Sequence, residues 1–170
     1  MPSQTASRQR NDTPVGTPDP ILGEAIELLF FAYRDFTGDP DAVLATRGLG
    51  RAHHRAIHFI RRQPGITVAG LLDILQVTKQ SLNRVLRQLI EEGLVVSTVG
   101  ERDRRERNLR VTAAGDALAA ELTELQRARL GRAFDTAGPD AVEGFRKVMQ
   151  QIINSEDRSR VLALIGSLGT

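Results

Sequence analysis

Between Ile66 and Thr112 the chain sets out helix, tight turn, helix and strand hairpin in a span too short for any larger rearrangement. Val68, Leu71, Leu72 and Leu75 fall at i, i+3, i+4 and i+7, the spacing that turns one helical face toward a core. Thr67 signals the start of that helix, and Pro64-Gly65 ends the helix before it. Proline cannot continue a helix, and glycine tolerates the positive φ of a C-terminal cap. After Gln76-Val77, the side chain of Thr78 can accept a hydrogen bond from the unsatisfied N–H groups of the next helix.

In that second helix the spacing predicts a buried stripe of Leu82, Val85, Leu86, Leu89 and Ile90. Lys79, Gln80, Ser81, Asn83, Arg84, Arg87 and Gln88 fall on the other faces. Gly93 closes the helix. Leu94-Val95-Val96-Ser97-Thr98-Val99 is β-branched and too compact for another helix, so it reads as a strand. Leu109 and Val111 alternate with Asn108, Arg110 and Thr112 on the returning strand, and Gly100-Glu101-Arg102-Asp103-Arg104-Arg105-Glu106-Arg107 forms the tip of the hairpin between them. A solvated loop is the usual fate of such a charge run. Here the four arginines outnumber the three acids, and their spacing lets several face one way. The order of elements, with a polar helix face beside a cationic hairpin, suits a nucleic-acid groove. With Thr78 at the start of the recognition helix, Lys79, Gln80, Ser81, Asn83 and Arg84 would lie at base edges, Arg87 at phosphate, and Arg102, Arg104, Arg105 and Arg107 along the wing.

Charge distribution points the same way. The 170-residue chain has a net charge of only +2. From Arg47 to Arg110, 13 Lys and Arg stand against 6 Asp and Glu, a surplus of seven positive charges; the remainder carries 10 against 15, a surplus of five negative ones. A polyanion is the partner such an asymmetry favours, because phosphate contacts supply non-specific affinity through counterion release. With no cysteine, this chain has neither disulfides nor zinc–thiolate sites, and it cannot sense oxidation through a thiol.

The hairpin carries a sequence signature as well: Asp103-Arg104-Arg105, then Leu109-Arg110-Val111-Thr112, then Gly115. With Gly93-Leu94-Val95 opening the wing and Thr78 to Arg84 at the recognition helix, most of the chain resembles MarR-type winged helix-turn-helix transcriptional regulators. The resemblance implies a mainly α fold with a small β wing, in which a winged helix-turn-helix joins a helical dimerisation region. It further implies that Asp103 steadies the wing while Arg105 reaches the minor groove. It also implies a cleft for a small aromatic or phenolic effector, for which Tyr33, Phe36, His53, His54 and Ile57 are the candidates; Tyr33 and Phe36 suit a core equally well.

The expected organisation is a disordered tail over 1–19, a dimerisation helix and connection over 20–46, the winged helix-turn-helix over 47–112 and C-terminal dimerisation helices over 113–170. Leu22, Ala25, Ile26, Leu29, Phe30 and Tyr33 make the first helix amphipathic. Thr112 opens a long helix with Leu118, Leu122 and Leu125, and Val142, Phe145, Val148, Met149, Ile152 and Ile153 mark another. These apolar faces exceed what one small domain can cover, so a homodimer is expected, its recognition helices about 34 Å apart on a palindromic double-stranded site. A signal peptide and a membrane-spanning run are both lacking, which leads to an expected cytoplasmic location without membrane contact.

His54 and His58 share a helical face, but Arg51, Arg55, Arg61 and Arg62 surround them and oppose a cation, so neither metal nor cofactor is expected. A packing role for His53, His54 and His58, effector contact and pH sensitivity all remain open. Nothing resembles a nucleophile–base arrangement or a phosphate loop, and no enzymatic activity is expected. The function that follows is a DNA-binding transcriptional regulator, repressing by occupancy and released by ligand. The rival readings are a winged module for protein contact and an architectural DNA binder that needs no effector.

Overall fold

The computed structural model describes residue 16 and residues 18–100 and 106–166. Among these residues, seven helices and three short strands follow in chain order: α1 (Asp19–Ala45), α2 (Arg51–Arg62), β1 (Ile66–Thr67), α3 (Val68–Leu75), α4 (Lys79–Glu91), β2 (Val95–Val99), β3 (Arg107–Val111), α5 (Ala113–Ala137), α6 (Pro139–Ile152) and α7 (Ser155–Gly166). The fold is therefore mainly α with a small antiparallel sheet. Two compact units are distinguished, one ending at Asp35 and one beginning at Phe36. The tail expected over 1–19 lies outside the described residues except for Gly16, Pro18 and Asp19, and α1 already begins at Asp19.

In the second unit the core draws on α1 to α5 and the sheet region and, among the described residues, takes no buried residue from α6 or α7: Leu44, Ile57, Ile60, Leu71, Leu82, Leu89, Leu94, Leu109 and Leu122 are almost fully buried. Each contributes about 1.5–3 kcal/mol relative to exposure, which is what fastens the reader to the helices around it. Pro40, also buried, sits inside α1 and does not end it.

Threonine starts three of the helices. Thr67 Oγ1 accepts from Gly70 N–H at 3.0 Å, Thr78 Oγ1 from Ser81 N–H at 3.2 Å, and Thr112 Oγ1 from Gly115 N–H at 3.0 Å. Each satisfies an N–H that has no partner within its helix, an interaction whose loss costs about 1 kcal/mol. Gly93 leaves α4 with φ 67, a conformation that L side chains rarely adopt, and its carbonyl accepts from Thr112 Oγ1 at 2.7 Å.

Two expectations need correction here. Ile90 is 42% exposed and lies outside the buried stripe of α4, which comprises Leu82, Val85, Leu86 and Leu89. The helix stops at Glu91, and Leu94, brought back by the Gly93 turn, fills the neighbouring core position instead. The sheet also has three strands rather than two. β1 pairs antiparallel with β3 through Ile66↔Leu109, so that β3 lies between β1 and β2. At the C-terminal end, Ile153 is extended, and it separates α6 from α7. Among the described residues, no helix is long and apolar enough to cross a membrane.

Candidate nucleic-acid interface

The turn before α4 is shaped by polar groups. Gln76 is left-handed at φ 51; its N–H donates to the Leu72 carbonyl at 2.9 Å and its Nε2 to that of Asp73 at 2.6 Å. Arg55 Nη2, from α2, donates to the Leu75 carbonyl at 3.0 Å. Further along, Gln88 Nε2 donates to the Gly48 carbonyl at 3.0 Å, tying the far end of α4 to the turn that precedes α2. With its apolar stripe in the core, α4 presents Lys79, Gln80, Ser81, Asn83, Arg84 and Arg87 together on one exposed surface, an open concavity of about 580 Å³. Thr78 caps the helix at its entrance.

β2 and β3 form the wing, in register from Val95↔Val111 through Ser97↔Leu109 to Val99↔Arg107, and Gly100 N–H donates to the Glu106 carbonyl at 3.0 Å. Leu109 points into the core, and Arg110 alternates outward beside it. Arg107, expected in the tip, is the first residue of β3 and is exposed. Arg102, Asp103, Arg104 and Arg105 lie outside the described residues.

Elsewhere on the second unit, arginines meet carboxylates. Arg51 pairs with Asp41 at 2.6 Å, Arg61 with Asp116 at 2.7 Å and Arg129 with Asp39 at 2.8 Å, while Arg146 and Lys147 share Glu143. Among the described residues no carboxylate pairs with Lys79, Arg84, Arg87, Arg107 or Arg110. Among the described residues, the cations of the helix face and of β3 thus have no carboxylate partner, which is what an anionic ligand requires. Arg110 belongs to this set although no base or phosphate role had been expected of it. Its alternation with Leu109 and Val111 was the available signal.

The residues expected to hold an effector are differently placed. Tyr33 is exposed in the first unit. In the second, Phe36 is partly buried, Ile57 belongs to the core, and His53 Nδ1 accepts from Gly50 N–H at 3.0 Å, bonding back to the start of its own helix. His54 is buried, and burial, helped by nearby His58, holds its pKa below the ordinary value against the pull of Asp41. His58 is lowered by burial and then by Arg62 and Arg61. Neutral in the folded chain, both imidazoles gain protons more readily when unfolded, so their stability contribution is present above the ordinary 6.5 and is lost as pH falls. The melting temperature should therefore decline from pH 7 toward pH 5. His54→Gln should flatten that decline, and an unchanged slope in the variant would remove His54 from this account.

A family model described as MarR family matches residues 47–106, which run from the turn before α2 to the residue before β3. The chain is 57% identical over 136 residues to the HTH-type transcriptional regulator PetP of Rhodobacter capsulatus, covering 80% of this chain and 82% of that protein. Among solved structures it is similar to MarR, with TM-score 0.61 and 24% identity over 82% of this chain and 98% of that one. It is also similar to Streptococcus pneumoniae FabT, crystallised in complex with DNA, with TM-score 0.70 and 17% identity over 77% and 94% of the two chains. On the strength of the PetP match and the family model together, this chain belongs to the MarR family of winged helix-turn-helix transcriptional regulators.

Proposed function

We propose that this chain is a sequence-specific regulator of transcription that binds double-stranded DNA as a homodimer on a palindromic operator. The observation that carries the reading is the outer face of α4, where Lys79, Gln80, Ser81, Asn83, Arg84 and Arg87 share one concavity without a carboxylate partner among the described residues. Lys79 and Arg84, with the amide and hydroxyl groups toward its N-terminal end, can read base edges in a major groove, and Arg87 suits phosphate. The similar FabT was crystallised with DNA, which supports the same partner for this fold. A second copy is the natural cover for two apolar faces. The first unit exposes Ile26, Leu29, Phe30 and Tyr33, and α6 exposes Phe145, Val148, Met149 and Ile152. Faces this large are covered in stable soluble proteins, here by symmetry.

Repression by occupancy is the simplest mode for such a protein, because blocking a promoter needs no contact with polymerase. Release by a small aromatic or phenolic anion completes the proposal, with Phe36, His53 and His54 of the second unit as its candidate contacts. The ligand acts only if it prefers one spacing of the two recognition helices over another.

Selection of bound duplexes from a random pool tests the reading, repeated with candidate aromatic acids present. A palindromic consensus is the expected result. Changes at Gln80 or Asn83 should then alter base preference, costing roughly 1–3 kcal/mol on the selected site. Arg105→Ala should instead weaken every A·T-flanked site and reduce the salt slope by about one phosphate equivalent. Absence of retardation on any duplex would leave a protein-contact module. Binding with no sequence preference and no ligand response would leave an architectural binder.

A further inference from the structure

The first helix of the helix-turn-helix is held at its C-terminal end by the last helix of the chain. α3 has only eight residues, so half of its carbonyls lack partners within the helix, and those at its end carry the negative pole of its dipole. Gln76 Nε2 already donates to the Asp73 carbonyl, and Arg160 on α7 adds a second, charged donor there. Its Nη1 donates to the Asp73 carbonyl at 3.0 Å and also pairs with the Asp73 carboxylate, while Nη2 bonds Asp157 Oδ1 at 2.7 Å, which fixes the plane of the guanidinium. From the other side, Arg62 Nη2 donates to the Leu164 carbonyl. A cleft of about 260 Å³ lies between the helices, lined by Gly70, Ile74, Val161 and Leu164 among others.

Asp73 lies three residues before Gln76, where the backbone turns left-handed, and six before Lys79, where α4 begins. A displacement of the last turn of α3 therefore passes directly into the angle of α4. We propose that Arg160 is a positioning residue for DNA recognition: by clamping the last turn of α3 from α7, it sets the presentation of the α4 face. This rests on the reading of α4 as the DNA-contacting helix. It makes the C-terminal helix part of the reader without touching the duplex.

The experiment compares full-length wild type with Arg160→Ala, Asp73→Asn, the double variant and Arg160→Lys. It measures affinity for a selected duplex over a range of salt, the melting temperature, and amide exchange over residues 73–79. An exposed bidentate contact supports a loss of about fivefold in affinity for Arg160→Ala. Asp73→Asn should lose less, because the carbonyl bond survives, and the double variant no more than Arg160→Ala alone. The salt slope should stay at the wild-type value, amide exchange at 76–79 should quicken, and Arg160→Lys should recover part of the affinity. A slope lower by about one would make Arg160 a phosphate contact and overturn the proposal. Equal affinity in wild type and variants would overturn it too, as would a fall in melting temperature with exchange at 76–79 unchanged. A wild type that binds no duplex contradicts the DNA reading instead, and amide exchange still decides the clamp.

Discussion

Gly115→Ala should lower the melting temperature by roughly 6–12 °C, the consequence of about 3 kcal/mol of lost stability in a chain of this size. Gly115 lies in the first turn of α5, where the helix meets the start of the wing. A Cβ at this position would stand 1.9 Å from the Leu94 carbonyl oxygen and 2.9 Å from its carbon. Both are backbone atoms, so no side-chain rotation can relieve the overlap. The same carbonyl accepts from Thr112 N–H at 3.0 Å, and the neighbouring Gly93 carbonyl from Thr112 Oγ1, so neither strand nor helix can withdraw without giving up these bonds. Leu94 and Val95 on one side and Leu118, Ala119 and Leu122 on the other share one core, which a slide of α5 would open. Gly131→Ala supplies the control within the same helix. Nothing lies within 4 Å of the Cβ it would add, and alanine is the better helix former by up to about 1 kcal/mol. Circular dichroism melts of the two variants should move in opposite directions. A Gly115→Ala melt matching wild type would mean that α5 and β2 are not in this close contact.

That contrast also marks what a chain reveals before its structure is known. Gly115 was recognisable as the glycine of a wing signature, yet the carbonyl that demands it belongs to Leu94, 21 residues earlier. The threonine caps of α3, α4 and α5 were legible because donor and acceptor lie three residues apart, and local spacing is enough to read them. The outer face of α4 was legible for a similar reason. A helical period that buries Leu82, Val85, Leu86 and Leu89 leaves Lys79, Gln80, Asn83, Arg84 and Arg87 on the other side. Ile90 was misread because the period continues through it while the core does not, and Leu94 fills the neighbouring place. β1 escaped because two residues make no pattern and the partner strand of Ile66 lies more than 40 residues away. The grip of Arg160 on Asp73 spans 87 residues and leaves no periodic trace. Of the wing, β2 follows from its β-branched residues and β3 from alternation, whereas Arg102 to Arg105 lie outside the described residues and their roles rest on the signature alone.

Replacing Lys79, Arg84 and Arg87 together with alanine should have the largest effect on DNA binding. All three are exposed on one face, and none has a carboxylate partner among the described residues, so their charge is available to phosphate. Each phosphate neutralised on duplex DNA contributes about 0.9 to the slope of log affinity against log salt. If all three cations act on phosphate, the slope falls by about 2.7, and near 0.1 M salt the affinity falls by several hundredfold. The substituted positions lie on the solvent side of α4, and alanine favours a helix at least as well as the residues it replaces, so the melting temperature should hold or rise slightly. Loss of binding at constant stability separates this variant from Gly115→Ala, which acts through the fold. An intermediate slope would identify one of the three as a base contact. Lys79 is the nearest to that role, since its place at the N-terminus of α4 is where a recognition helix meets base edges. An unchanged slope together with unchanged affinity would remove the outer face of α4 from the interface and leave the wing to carry DNA binding alone.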